Sequence, residues 1–322
     1  MRKAIMIISF LSFGVLTAQE EVQRYQEIAQ EFKLNYNNAE YEEIFNMFGP
    51  EMKAALPVEK TVAMFTDQIS AMAGKIDTMV FSKTRQTAHI YKTTFEKIVL
   101  DVVISLDSEN NINGLFLQPH KPDNLPVLER NTTKMILPFN EECYVFWGGT
   151  SVDKNYHVAY DNQKYAYDIM MVKDGVSHKG DPKVNDNYYV FGKDIIAPCD
   201  AQVVQVITGV KDNIPGEMNP AQLTGNTVVL KTANNEFLLF AHLQEKSVVV
   251  TEGQEVKQGD LLGKCGNSGN TTEPHLHLSL QNVQDMGIAT GGKLYFDRIM
   301  VNGEIKEDYL PEKNDKVKNI KS

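Results

Sequence analysis

The feature that most constrains the fold is a short alternating run that follows a loop rich in Gly, Asn, Ser and Thr. The loop covers residues 266–273, and residues 275–280 read His-Leu-His-Leu-Ser-Leu. Alternation is typical of a strand, in which residues i and i+2 face the same side, roughly 6–7 Å apart. We therefore expect His275 and His277 on one face and the leucines on the other. Two neighbouring imidazoles beside a Gly-rich loop favour a metal site over a solvated histidine pair.

Length and the first residues indicate an exported protein of two domains. The chain has 322 residues, and 42% of them are hydrophobic, which is enough for two ordinary cores. Residues 1–18 have a basic start, an apolar run and a small-residue end, as a secretory signal peptide does. The apolar run is too short for a comfortable membrane span. We expect a periplasmic or extracellular protein with no stable membrane anchor.

The net charge and the cysteine content argue against a protein that binds nucleic acid or anionic membranes, and against cysteine metal ligands. The formal net charge is −10. Loss of Arg2 and Lys3 with the signal peptide would make it −12, because residues 1–18 contain no acid. An acidic protein has no electrostatic attraction to nucleic acid or to anionic membranes. The three cysteines have no C-x-x-C spacing, so we expect buried apolar thiols and not metal ligands. The sequence leaves the oligomeric state open.

The first half has the pattern of a small α+β domain over residues 19–117. Helical spacing of apolar residues extends to about residue 75, and four strand-like runs follow between residues 77 and 117. This order of elements resembles the nuclear-transport-factor-like domains that bacteria attach to exported enzymes. We find no candidate catalytic or metal-binding residue in this first domain. Residues 118–134 are rich in proline and polar residues and are predicted to form a linker, with His120 solvated.

The second half, residues 135–302, is predicted to be a mainly antiparallel β domain. Short β-branched and aromatic runs, including residues 247–250, alternate with Gly, Pro, Asn and Asp. Two irregular insertions, residues 173–189 and 211–223, interrupt this pattern and are typical of the rim of a functional site. Trp147, just before His157, either lines the cleft or, as is more common for a single Trp, packs in the core. The charged tail, residues 303–322, is expected to fray.

Five polar residues stand out within the β domain as a candidate catalytic metal site: His157, Asp168, His242, His275 and His277. A catalytic Zn²⁺ is held by three N or O ligands and keeps an open position. Two spare histidines beside it are able to move protons or hold an oxyanion. The sequence has no H-E-x-x-H and no G-x-S-x-G, so those hydrolase mechanisms lack their residues.

The order of motifs resembles the LytM/lysostaphin-type zinc metallopeptidases over roughly residues 140–285. The motifs are His157 with Asp168, then Phe-Ala-His-Leu at 240–243, Gly-Asn-Ser-Gly at 266–269, and Pro-His-Leu-His at 274–277. The resemblance implies a β-rich groove that binds one Zn²⁺. It assigns His157, Asp168 and His277 as metal ligands, and His242 and His275 as the catalytic pair. It also implies a peptidoglycan or wall-peptide substrate, cleaved in cross-links or stem peptides.

Three alternatives remain open. The ten residues between His157 and Asp168 exceed the usual H-x-x-x-D spacing of the family, and His178 with Asp181 is a competing pair. We prefer His157 and Asp168, because Asp168 lies in an apolar strand. A second possibility is a non-catalytic relative that regulates or binds in cell-wall hydrolysis. A third is a lipoyl- or biotinyl-carrier hairpin at residues 250–260, which lacks a suitably placed Lys. Which histidine acts as the base stays undecided.

Overall fold

The computed structural model describes residues 21–320. The predicted signal peptide, residues 1–18, lies outside the described residues. The chain divides into two compact units, one up to His120 and one from Lys121. Among the described residues, no helix has both the length and the apolar character needed to cross a membrane. The prediction of a helical and α+β first part followed by a mainly antiparallel β domain is confirmed.

The first unit packs helices against one four-stranded antiparallel sheet of order β1-β2-β3-β4. Its elements are α1 (Gln23–Asn37), α2 (Tyr41–Asn46), α3 (Pro50–Ala55), α4 (Val58–Ala63), a π-helical stretch (Met64–Ser70), α5 (Ala71–Ala73), β1 (Ile76–Arg85), β2 (Ala88–Phe95), β3 (Val99–Leu106) and β4 (Ile112–Pro119). The helical spacing of Phe32 and Tyr36 places both rings in the core, 6.1 and 6.0 Å from the ring of Phe65.

The second unit is built on a large antiparallel sheet of order β11-β8-β9-β10-β13-β6-β5-β17-β15-β16, with β14 beside β13 and a separate β12-β7 pair. The strands are β5 (Cys143–Trp147), β6 (Tyr167–Met170), β7 (Asp194–Ile196), β8 (Ala201–Ile207), β9 (Asn226–Lys231), β10 (Phe237–Leu243), β11 (Glu255–Val256), β12 (Leu261–Lys264), β13 (Leu276–Gln281), β14 (Gly291–Gly292), β15 (Phe296–Val301), β16 (Glu304–Tyr309) and β17 (Lys316–Asn319).

The two faces of this sheet have different roles. Alternate residues, such as Leu238, Phe240, Leu278 and Leu280, bury one face in the main core. The other face carries only a small apolar cluster of Val229, Leu239 and Ala241, with Met286 packed against it. His277 alternates with the buried leucines of β13 and therefore lies on this second face. The sheet thus presents one face for a site and uses the other for stability.

Three sequence predictions are wrong. The charged tail does not fray: β17 lies between β5 and β15, and Val317 is fully buried. Residues 247–250 form no strand, because Ser247 N donates to Gln244 O in a turn and only Val249 N reaches Leu262 O. His120 is not solvated: its Nδ1 lies 2.7 Å from Asp101 Oδ1 in a largely buried pair.

The segment predicted as a linker makes ordered contacts from residue 121 onward. The buried side chain of Asn131 donates to Tyr295 O at 2.9 Å. Glu236, at the start of the β10 hairpin, accepts hydrogen bonds from the backbone and hydroxyl of Thr132. This stretch is therefore part of the second unit.

Candidate active site

Strand register brings together residues that are distant in sequence. His277 of β13 is the direct partner of Asp168 on β6 and of Ala241 on β10. His242 follows Ala241, so it lies at the end of β10 beside the same spot. Opposite residues of antiparallel strands have Cβ atoms about 4.5–5.5 Å apart. Two non-local pairings therefore place three of the five candidate residues within side-chain reach.

His157, Asp168 and His277 form a compact group of donors. One ligand atom from each lies within 4.8 Å of the others. His277 Nδ1 is 3.0 Å from Asp168 Oδ1, and His157 Nε2 is 3.6 Å from Asp168 Oδ2. Tetrahedral ligands bonded at roughly 2.0–2.1 Å would be about 3.3 Å apart. The two observed distances lie on either side of that value, so the donor set has the size of a zinc site.

The tautomer of His157 also fits a metal ligand. Its ring lies in a short 3₁₀ turn, Tyr156–Ala159, and is fully buried. The Nδ1–H donates to Asn155 Oδ1 at 2.9 Å, which leaves the lone pair on Nε2. Nε2 of His157 and Nε2 of His277 are both buried without a hydrogen-bond partner among the described residues. The orphaned Nε2 of His157, the Asp168 carboxylate and the Nδ1 of His277 that lies beside it are a donor set that suits Zn²⁺.

His242 and His275 are oriented in the same way by backbone carbonyls. The Nδ1–H of His242 donates to Ser268 O at 2.8 Å, and that of His275 donates to Glu273 O at 2.9 Å. Each ring therefore turns its Nε2 away from its carbonyl, and the ring centroids are 4.9 Å apart. His242 has a left-handed backbone, with φ of 62°. Such strain in a non-glycine residue is concentrated at functional sites.

Burial and mutual repulsion set the charges of the cluster. Burial lowers the pKa of His157 to about 4, although the Asp168 carboxylate opposes this. Burial, with His275 and His277 nearby, holds the pKa of His242 well below its ordinary value. Burial opposes ionisation of Asp168, but the facing histidines, His275 first, keep its pKa well below its usual range. His157 and His242 are therefore neutral, and Asp168 is ionised, at neutral pH.

The cluster opens into a groove of about 390 Å³. An aromatic wall of Phe146, Trp147, Tyr156 and Tyr160 lines one side, and residues 270–273 line another. Trp147 lines the groove, which is the less common of the two places that the sequence left open. Its ring is partly exposed and is covered by Lys313 Nζ, 3.6 Å from the ring centroid.

The structure brings all five candidate residues into one place and leaves the competing pair, His178 and Asp181, outside it. His178 lies in the first insertion, where it forms an isolated bridge to Tyr188 and packs on that ring at 5.1 Å. Neither His178 nor Asp181 belongs to the donor group. Sequence reasoning missed Asn155, Ser268 and Glu273. Only the position of Asn155, two residues before His157, offered a local signal for an orienting contact.

A comparison with protein families decides what kind of domain this is. Residues 187–291 match the family described as Peptidase family M23. The second unit contains an M23 peptidase domain. His242, His275 and His277 lie within the matched stretch of this M23 domain, and His157 and Asp168 precede it. Residues 29–115 of the first unit match a family described as a protein of unknown function, DUF3887.

Curated relatives of the chain include two bacterial proteins. Peptidoglycan DD-endopeptidase ShyC of Vibrio cholerae is 34% identical over 86 residues, which are 27% of this chain and 18% of that protein. Cell division protein DipM of Caulobacter vibrioides is 33% identical over 103 residues, which are 32% of this chain and 15% of DipM. The chain therefore spans less than a fifth of the length of these relatives.

Solved structures similar to the M23 domain include two peptidases. The catalytic domain of lysostaphin from Staphylococcus simulans is 18% identical and covers 47% of this chain and 88% of its own, with a TM-score of 0.28. The deep-sea M23 metalloprotease pseudoalterin is 14% identical and covers 57% of this chain and 99% of its own, with a TM-score of 0.32.

Proposed function

We propose that the protein is a zinc metalloendopeptidase that hydrolyses peptide bonds in peptidoglycan, in cross-links or stem peptides. The observation that carries this proposal is the donor group of His157, Asp168 and His277, whose ligand atoms lie within 4.8 Å of one another; Asp168 and His277 line the groove. We further propose that these three residues hold one Zn²⁺ and that His242 and His275 are catalytic.

Each residue of the site has a role that its contacts support. A zinc ion held there would lower the pKa of a bound water to about 7 and polarise a peptide carbonyl. Asn155 keeps the proton of His157 on Nδ1, so that Nε2 is the donor atom. His242, neutral because of burial, accepts a proton on Nε2 while Ser268 O holds its Nδ1–H. Burial opposes the charge on His275, but Asp168, with Oδ1 3.4 Å from Nε2, raises the pKa of this ring; the protonated ring is placed to donate a hydrogen bond from Nε2 to a developing oxyanion.

Substrate and location follow from the named relatives and from the predicted export. ShyC, one of these relatives, is named as a peptidoglycan DD-endopeptidase. Peptidoglycan lies outside the cytoplasm, which agrees with a signal peptide at residues 1–18. We infer periplasmic or extracellular action on wall peptides.

The test is hydrolysis of purified peptidoglycan by the full chain. We expect soluble muropeptides to appear, to stop appearing after removal of zinc with a chelator, and to return when zinc is restored. His242→Ala should bind zinc as the wild type does but release at least about a hundredfold less product, the scale expected for a lost acid–base group. Zinc binding without release by the wild type would favour the non-catalytic alternative.

A further inference from the structure

The groove continues beyond the histidines on the side of β5. A second hollow of about 370 Å³ shares Phe146, Met170 and Glu273 with the histidine groove. We call it the β5-side hollow; its other lining residues are Tyr144, Val172, Asp174, Gly175, Ser177 and Lys316. The shared residues make the two cavities neighbours along the same face of the sheet. A substrate that crosses the histidines would therefore enter the β5-side hollow on one side of the reacting bond.

Glu273 stands at the junction of the two cavities. Its backbone carbonyl accepts the Nδ1–H of His275, which fixes its distance from the catalytic ring. Its side chain is half-buried, and Oε2 accepts the hydroxyl of Ser177 at 3.1 Å. No ion pair joins this carboxylate to any residue between 21 and 320. The carboxylate of Glu273, beside the histidine site, thus has one oxygen, Oε1, left to bind a ligand.

The charges of the β5-side hollow favour a cation. Asp174 and Glu273 contribute two carboxylates, against the single ammonium of Lys316. The described residues contain one group of three donors close enough for a metal ion, and that group is His157, Asp168 and His277. The two carboxylates are therefore not a second metal centre of that kind. An organic cation is the ligand that their charge suits.

We propose that Glu273 is a specificity-determining residue that binds a primary ammonium group of the substrate peptide next to the reacting bond. This inference rests on the proposed function only for the hydrolysis of the peptide bond; binding of the ammonium group by Glu273 does not depend on it. A primary ammonium has three N–H donors, so it is able to bond to the free oxygen of Glu273 while Ser177 holds the other. A substrate with a carboxylate at the same place would be repelled by Glu273 and Asp174.

The experiment compares two forms of one peptidoglycan whose peptides carry free amino groups. One form is untreated, and in the other the amines are acetylated, which removes their charge. Two readouts are used: release of soluble product by the zinc-loaded full chain, and co-sedimentation of the zinc-stripped chain with the insoluble wall. We expect the wild type to prefer the untreated wall by about fivefold in both, the scale of one partly exposed ion pair.

Glu273→Gln keeps the shape and removes the charge, so its ratio between the two walls should fall to about one. Asp285→Asn is the matched control, because Asp285 lines a different hollow of the same face and this substitution also removes one negative charge. The ratio between the two walls for Asp285→Asn should stay near that of the wild type.

The inference is overturned if the wild type treats both walls alike, if Glu273→Gln keeps the preference, or if Asp285→Asn loses it to the same extent. A wild type that releases nothing, yet sediments with the untreated wall in a Glu273-dependent way, would refute the proposed peptidase and support the ammonium site.

Discussion

Asn155 fixes the imidazole of His157 through two hydrogen bonds. Its side-chain oxygen accepts the ring Nδ1–H at 2.9 Å and the backbone N–H of the same histidine at 3.2 Å. Its amide nitrogen donates to Ala166 O at 2.8 Å, two residues before Asp168. Both side chains are fully buried. One amide therefore ties together the two chain segments that carry the proposed ligands His157 and Asp168.

Replacement of this amide should weaken the metal site without removing a ligand. In Asn155→Ala, His157 Nδ1 loses its acceptor, and the ring is free to change tautomer. We expect zinc affinity to fall by about 10–100-fold, as for other lost contacts to ligand histidines. Titration against a competing chelator measures this. Asn162→Ala, in the separate hollow that Asp285 lines, should bind zinc like the wild type. Equal affinity of both variants would refute the role of Asn155.

The loop that holds His242 depends on a glycine at position 269. Gly269 has φ of +90°, and an added Cβ would lie 2.4 Å from Gly225 N and 2.6 Å from Gln222 O. Gly253 has a similar φ of +85° but nothing within 4 Å of such a Cβ. Gly253→Ala should cost about 1–2 kcal/mol of unfolding free energy from backbone strain alone.

In Gly269→Ala, close contact with backbone atoms should add about 1–3 kcal/mol to that cost and displace the neighbouring Ser268 carbonyl. Urea denaturation and hydrolysis of peptidoglycan measure the two effects. Similar stability of the two alanine variants would show that the loop adjusts without strain.

Glu236 should make stability depend on acidic pH. Burial opposes its ionisation, but the donors around it, led by the Thr132 backbone, lower the pKa of its carboxyl. The unfolded chain, with a Glu pKa of about 4.3, then binds the proton more tightly than the folded chain. The stabilisation is complete above that pH and is lost as the pH falls through the folded-state pKa.

Glu236→Gln should therefore cost about 1–3 kcal/mol at neutral pH and progressively less as the pH falls through the folded-state pKa. Denaturant midpoints across this range give the comparison. Glu255→Gln, at an exposed position, is the control and should change stability by about 0.5 kcal/mol or less at either pH. A loss of unfolding free energy in Glu236→Gln that is the same at all pH values would contradict the assigned pKa shift.

The C-terminal strand should be indispensable to the second unit. Val317 is fully buried in β17, between β5 and β15, whereas Ile305 of β16 is 49% exposed. Val317→Asp places an unpaired carboxylate in the core and should prevent folding or cost more than about 4 kcal/mol. Ile305→Asp should cost about 1 kcal/mol or less. Circular dichroism and thermal melting measure both, and a stable Val317→Asp variant would contradict the strand assignment.

The sequence predicted local structure better than distant contacts. The alternation around His275 and His277 has a period of two residues, which a strand requires, and β13 occupies that place. Spacing also predicted the packed helix at Phe32 and Tyr36. Each of these signals lies within a few residues of its element, so no knowledge of the tertiary structure was needed.

Contacts between residues that are far apart in the sequence gave no such local signal. β17 is short and charged, and its partner β5 lies about 170 residues earlier, so only the folded sheet shows why Val317 is buried. The carbonyls of Ser268 and Glu273 hold the two catalytic candidates through main-chain atoms, which any residue supplies. Asp168 and His277 were expected together from a family resemblance, and the register of β6 with β13 gives the physical reason.

The central claim is that His157, with Asp168 and His277, holds the zinc ion, and that His178 does not. Metal content per chain, measured by elemental analysis after dialysis, tests it most directly. We expect one zinc per chain in the wild type and in His178→Ala, and less than about a tenth of that in His157→Ala. Retention of zinc by His157→Ala together with its loss from His178→Ala would contradict the account.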